Sequence, residues 1–223
     1  MKIITIYFKI IILLTFSFQL FGQDNIPSFK KNPLYIQEVE LYEVYETKKA
    51  NIVMLGDSHI QGANWGELLG RNDVVNRGVT SDVLEGYVAR LPYVTKLNPK
   101  VCFIMGGLND VYMWIPIDKI IIQYSILINE LKKNKIKVVI HSALYPAEGA
   151  DNPSDRNKIV SELNILLREL AEKENIIFID LNEKMSRNMF TKKELTNSWY
   201  HLNAKGYEIW RDEVQRVLKL LKL

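Results

Sequence analysis

Apolar residues fall into short unbroken runs, separated by longer stretches where they recur every third or fourth position. The runs at 51–55 (NIVML), 74–76 (VVN), 101–105 (VCFIM), 137–140 (KVVI) and 176–179 (IIFI) predict five strands. A strand with one wet face alternates apolar and polar residues. These runs do not, so both faces are expected to be buried, as in a parallel sheet covered by helices. Between the runs, Ile120, Ile121, Tyr124, Leu127, Ile128 and Leu131 mark one face of a helix. Ile159, Leu163, Leu166, Leu167 and Leu170 mark a second, and Tyr207, Trp210, Val214, Val217, Leu218 and Leu221 a third. Residues 33–47 read as a further helix ahead of the first strand. Strand–helix alternation of this kind predicts a three-layer α/β sandwich around a five-stranded parallel sheet, of flavodoxin-like type, with right-handed crossovers.

The N-terminus departs from this pattern. Lys2 and Lys9 precede an uncharged apolar run at 10–21 and then Gly22-Gln23. That is the order of a secretory signal peptide, and the run is short against the roughly 20 residues of a membrane span. Residues 1–22 are therefore expected to be a leader, 23–50 an N-terminal extension with its helix, and 51–223 one domain. The expected location is exported, periplasmic or secreted, with no stable membrane insertion once the leader is removed. The remaining composition, 48% hydrophobic and 25% charged, suits one globular core. A formal charge of +3 without a dense basic block argues against a nucleic-acid partner. The single cysteine, Cys102, lies in an apolar run and reads as a buried small hydrophobe rather than a nucleophile.

In a parallel sheet, ligands gather beyond the carboxyl ends of the strands. "GDSHI" follows the first run at 56–60, "NRGV" closes the second at 76–79, and "GGLNDVY" follows the third at 106–112. "WYHLNAKGY" lies about twenty residues after the fifth, with His201 inside it. Serine, glycine, asparagine and histidine thus converge on one edge. The combination fits acyl transfer. A serine hydroxyl needs a base to take its proton, and the histidine can return that proton to the leaving alkoxide. The oxyanion needs fixed donors, for which the Ser58 N–H, the Gly78 N–H and the Asn109 amide are suited. Three histidines and one cysteine, without HxH or CxxC spacing, give little support to a metal site.

These four blocks, in this order, resemble those of the SGNH or GDSL hydrolase family, and the resemblance runs from residue 51 to the C-terminus. It implies that Ser58 is the nucleophile and His201 the general base. It also implies that Ser58, Gly78 and Asn109 form the oxyanion hole. It implies acyl-ester substrates such as an acetylated sugar or a lysophospholipid-like molecule, and no metal or organic cofactor. The stretch "GDSHIQGANWGELL" with "NRGV" looks most like the branch of platelet-activating-factor acetylhydrolase and carbohydrate acetylesterases.

One position departs from that pattern. Three residues before His201, where the family has aspartate, stands Ser198. The Ser198 hydroxyl or a backbone carbonyl could orient His201, or Glu194 or Asp180 could swing in. A binding module without turnover on the same fold, and an acyltransferase using the same site, stay open as alternatives. Asp57 is expected to brace the turn and Asp110 to be structural. His59 is expected to be pocket wall or surface, and His141 a strand-end histidine. Tyr112, Trp114 and Tyr145 lie in loops on the same edge, where they could line the pocket or pack in the core.

Overall fold

The computed structural model describes residues 26–223, so the expected leader lies outside the described residues. Five parallel strands form the sheet: β1 (Ile52–Gly56), β2 (Val74–Gly78), β3 (Val101–Met105), β4 (Lys137–His141) and β5 (Ile177–Ile179). Their spatial order is β2-β1-β3-β4-β5. Four long helices accompany them: α1 (Pro33–Val44), α2 (Ile117–Lys133), α3 (Pro153–Lys173) and α4 (Ala204–Leu220). The expected sandwich is therefore present. The helix expected at 33–47 ends at Val44.

Unbroken apolar strands work because the pleat sends successive side chains to opposite faces. Val53, Leu55, Cys102, Ile104, Val138 and Ile140 join one core with α2 and α3. Their neighbours Ile52, Met54, Val101, Phe103, Met105 and Val139 join a second core with Trp65 and the apolar face of α4. Cys102 is buried in the first, and burial pushes its thiol pKa up.

Strand order and register create the crevice. The chain leaves β1 and moves to β2 on one side, while β3 lies on the other, which is a topological switch point. Gly56 pairs with Gly78 across β1–β2 and with Met105 across β1–β3. All three strands therefore release their loops at one level.

Those loops are held by a buried cation. Arg90 is 1% exposed. Its Nε donates to Asp82 (2.8 Å), Nη1 to the Arg77 carbonyl (2.7 Å) and Nη2 to the Gly56 carbonyl (2.8 Å). One guanidinium thus ties together the ends of β1 and β2 and the loop after β2. The N-terminal extension braces the same loop from outside. Asn32 donates to the Thr80 carbonyl (2.8 Å), and Gln61 donates to Glu38 (2.9 Å) while accepting from the Thr80 N–H (2.9 Å).

Truncating Arg90 strands Asp82 in a dry site. Breaking a buried ion pair from one side costs about 3–5 kcal/mol. Arg90→Ala should lower stability by that order in denaturant unfolding. A loss below ~1 kcal/mol would show that the pair does not hold the loops.

Candidate active site

The turn after β1 is built by Asp57. Its carboxylate caps the short helix Ser58–Gln61 by accepting from the His59 N–H at 2.9 Å. Ser58 is thereby delivered at the helix start with its side chain at the sheet edge. From the other end of the chain, Asn203 caps α4 by accepting from the Gly206 N–H (3.2 Å), which fixes the loop just ahead of it. His201 in that loop places Nε2 3.0 Å from Ser58 Oγ, across 143 residues of sequence. A serine oxygen and an imidazole nitrogen at that separation are within proton-transfer reach.

The other ring nitrogen, His201 Nδ1, lies 3.3 Å from Ser198 Oγ. The same oxygen accepts from the His201 N–H (3.1 Å) and the Tyr200 N–H (3.4 Å). Ser198 thus caps its own turn and touches the imidazole from there. For Nε2 to be the base, Nδ1 must carry the hydrogen and donate it to Ser198. A neutral hydroxyl accepts that bond more weakly than a carboxylate would. Neither carboxylate considered as a substitute reaches the ring. Asp180 is held by Arg168 (2.6 Å) and caps Asn182 (3.0 Å). Glu194 lines a neighbouring cleft.

A cleft of about 230 Å³ opens over the pair, lined by Ser58, His59, Thr80, Ser81, Leu108, Asn109, Tyr112, Tyr200 and His201. Asn109 follows β3 through Gly107, whose φ of 107° suits glycine. One N–H of its amide donates to the Asp82 carbonyl at 2.8 Å, which fixes the group and leaves the second N–H for a ligand.

Gly78 differs from expectation. Its N–H donates to Asn76 Oδ1 at 2.7 Å, so it is not free for an oxyanion. Its role is steric: a Cβ there would stand 2.2 Å from the Gln61 nitrogen, where the Ser58–Gln61 helix packs on β2. In the turn that follows, the N–H groups of Val79, Thr80 and Asp82 are bonded to Gly56, Gln61 and Val79. That leaves the N–H of Ser81 as the donor without a partner among the described residues. Ser81 lines the cleft at φ 59°, a conformation uncommon for a residue with a side chain.

His59 is neither surface nor a simple wall. It is 2% exposed, with Nδ1 3.2 Å from Asp57 Oδ1 and Nε2 2.8 Å from the Tyr200 carbonyl. Of the three aromatic candidates only Tyr112 lines the cleft. Trp114 is exposed under the Arg156 guanidinium (3.5 Å), and Tyr145 packs against the α2–α3 core with its hydroxyl 2.9 Å from Ser161. Tyr200, missed in the sequence, forms a cleft wall edge-on to Tyr112. Asp110 accepts from the Leu84 N–H (3.1 Å) and is structural; burial raises its pKa to about 7. His141 stacks on Phe103, and burial lowers its pKa to about 4, so it stays neutral at ordinary pH. The His201 pKa is also lowered, first by burial and then by the charge of His59, against an opposing effect of Asp57.

An α/β sandwich with a serine–histidine pair at the carboxyl edge of its sheet is an architecture suited to hydrolases. Residues 54–209 match the GDSL-like lipase/acylhydrolase family, and the chain belongs to that family. Among solved structures it is similar to a GDSL-like lipase from Bacteroides thetaiotaomicron (20% identity, TM-score 0.73, covering 84% of this chain and 98% of that one). It is similar also to a lipase/acylhydrolase from Enterococcus faecalis (23% identity, TM-score 0.67, 76% and 95% covered). A third is an acetylxylan esterase from Geobacillus stearothermophilus (18% identity, TM-score 0.62, 76% and 95% covered). At these identities the likeness concerns the fold. No curated protein matches the sequence.

Gly78→Ala should fail where Ser81→Gly succeeds. The first drives a methyl group into the Gln61 backbone. It should cost at least ~1–3 kcal/mol of stability, as overpacking does. The second relieves a left-handed serine and should leave the melting temperature unchanged or higher. Equal stability of the two variants would contradict this division of roles.

Proposed function

We propose that the chain is a serine esterase that hydrolyses short acyl esters of a carbohydrate. The observation that carries this reading is the Ser58 Oγ–His201 Nε2 contact of 3.0 Å beside fixed N–H donors. In the reaction, Ser58 Oγ attacks the ester carbonyl as its proton passes to His201 Nε2. The oxyanion that forms is held by the Ser58 N–H, the Ser81 N–H and the second N–H of Asn109, with Ser81 in place of Gly78. His201 then protonates the departing alkoxide. Water enters and adds to the acyl carbon as it gives a proton to the same nitrogen, and His201 passes that proton to Ser58 Oγ as the acid leaves.

The size of the cleft supports a short acyl group, and the charged residues of a neighbouring cleft support a polar alcohol. The cleft over Ser58 holds about 230 Å³, and Leu108 is its one aliphatic side chain. Beyond the 199–201 segment lies a second cleft of about 480 Å³, lined by Trp199, Phe190, Arg187, Lys193, Glu148, Glu194 and their neighbours. Trp199 is 53% exposed, and its ring lies against Gly149. An indole face among charged groups suits a sugar ring better than a lipid chain. Consecutive Cα atoms are 3.8 Å apart, so Trp199 lies within about 8 Å of His201 along the chain. We place the sugar part of the substrate against Trp199, two residues from His201 in the chain. The leader-like residues 1–22 support export, periplasmic or secreted. No helix among the described residues is long and apolar enough to cross a membrane.

A fluorophosphonate probe should label the chain once, on Ser58. Ser58→Ala should abolish labelling, and His201→Ala should slow it at least a hundredfold. Ser198→Asp should accelerate it about tenfold or more, because a carboxylate holds the productive tautomer and stabilises the imidazolium. Folded wild-type protein that takes up no probe would sink the nucleophile assignment. Trp199→Ala should raise KM for acetylated oligosaccharides about tenfold while sparing p-nitrophenyl acetate. An equal effect on both substrates would remove the second cleft from the site.

A further inference from the structure

Both ring nitrogens of His59 face groups that only accept hydrogen bonds. Nε2 lies 2.8 Å from the Tyr200 carbonyl and Nδ1 3.2 Å from the Asp57 carboxylate. A neutral imidazole has one N–H, so in that state one nitrogen would set a lone pair against an oxygen lone pair. Two N–H groups satisfy both. The ring is buried, which makes an unsatisfied arrangement costly and a paired charge strong. The same residue is gripped a third time: Tyr207 of α4 donates its hydroxyl proton to the His59 carbonyl at 2.8 Å. The residue after the nucleophile is thus bonded to the residue before the base, and to the helix that follows it.

We propose that His59 is a standing imidazolium clamp, which positions His201 through the Tyr200 carbonyl and, by its charge, keeps His201 neutral and ready as a base. It shares with an aspartate at 198 the positioning of the ring, while its charge acts in the opposite sense and disfavours the His201 imidazolium. His59 touches no reacting atom and is a positioning residue. The inference rests on the reading of Ser58 and His201 as the working pair.

The electrostatics agree. Burial opposes charge on His59, but the Asp57 hydrogen bond, the Asp57 charge and the Tyr200 carbonyl outweigh it, and the His59 pKa is raised. The His201 ring lies 5.5 Å from that of His59, and its pKa is lowered by burial and by His59. Several other groups bear on the pair. They are Asp57 on the turn after β1, Tyr200 on the histidine loop, Tyr207 on α4 and Tyr112 across the cleft. Behind Asp57 stand the Asp82–Arg90 pair and Asp110. Asp57 raises the His201 pKa, so removing the His59 charge exposes His201 to an uncompensated carboxylate. Both effects act in the same direction.

The test pairs ring-nitrogen NMR with pH profiles. In the wild type at pH 6.5, the His59 ring should carry protons on both nitrogens. It should titrate above the ordinary histidine value of about 6.5, and His201 below it. His59→Gln keeps a donor for the Tyr200 carbonyl but no charge. The acid limb of kcat/KM, or of fluorophosphonate labelling, should move up by about 0.5–2 pH, as two charges at this separation imply. Its plateau should fall less than that of His59→Phe, because one of the two features is kept. His59→Phe keeps neither feature, and its plateau should fall tenfold or more. Stability gives a further sign. A raised folded pKa stabilises fully below about pH 6.5, and that gain is lost as pH rises through the folded value. The melting-temperature gap between wild type and His59→Gln should therefore be widest in acid. A neutral His59 ring at pH 6.5 overturns the proposal, as does an unmoved acid limb in folded His59→Gln. A charged His59 in wild type that takes up no probe supports the clamp and sinks the Ser58–His201 reading instead.

Discussion

The buried guanidinium of Arg90 is the constraint on which the site depends. The carbonyls of Gly56 and Arg77 lie at the strand ends where the loops of the candidate site begin, the first also accepting from the Val79 N–H. Water would satisfy them in an open crevice but would leave the loops free to drift. Arg90 satisfies both and is neutralised by Asp82, whose own carbonyl then orients the Asn109 amide. One charge pair therefore connects the strand that delivers Ser58, the turn that carries Ser81, and the amide from the loop after β3. The desolvation cost of such a pair is high. Here it accompanies preorganised donors, which are what stabilise an oxyanion most effectively.

A second buried charge pair, Asp57 with His59, lies on the other side of Ser58. Its partner is the loop of His201 rather than the sheet. The two pairs hold Ser58 and His201, the proposed nucleophile and base, from opposite sides, and among the described residues the His201 ring nitrogens meet only the neutral hydroxyls of Ser58 and Ser198. In a site with aspartate at 198, orientation and charge stabilisation come from one side chain. In this chain orientation comes from the Ser198 cap and from the backbone, and the nearest buried charges stand one layer further back.

Much of the architecture was legible because it depends on local period. Strand runs ended within two residues of the observed strands, and the apolar stripes of α2, α3 and α4 marked the faces that pack. The blocks that hold Ser58, Asn109 and His201 were legible because the first two follow strands and the third precedes a capped helix. The short helices around the site were not. Segments of four to six residues such as Ser58–Gln61 and Leu84–Ala89 carry too few turns to show a period, and their stability comes from packing and capping.

What a residue type can do and where a strand runs are properties of adjacent positions, so the amino-acid order alone specified the sandwich and its converging edge. Which donor is free is a property of distant positions. Gly78 looked like an oxyanion donor until Asn76 proved to occupy its N–H, and Ser81 took a left-handed turn that no local preference announces. His59 looked peripheral until the Tyr200 carbonyl, 141 residues away, met its ring. Hydrogen bonds are short-ranged and saturable, so their partners were decided only when the folded chain brought those groups together.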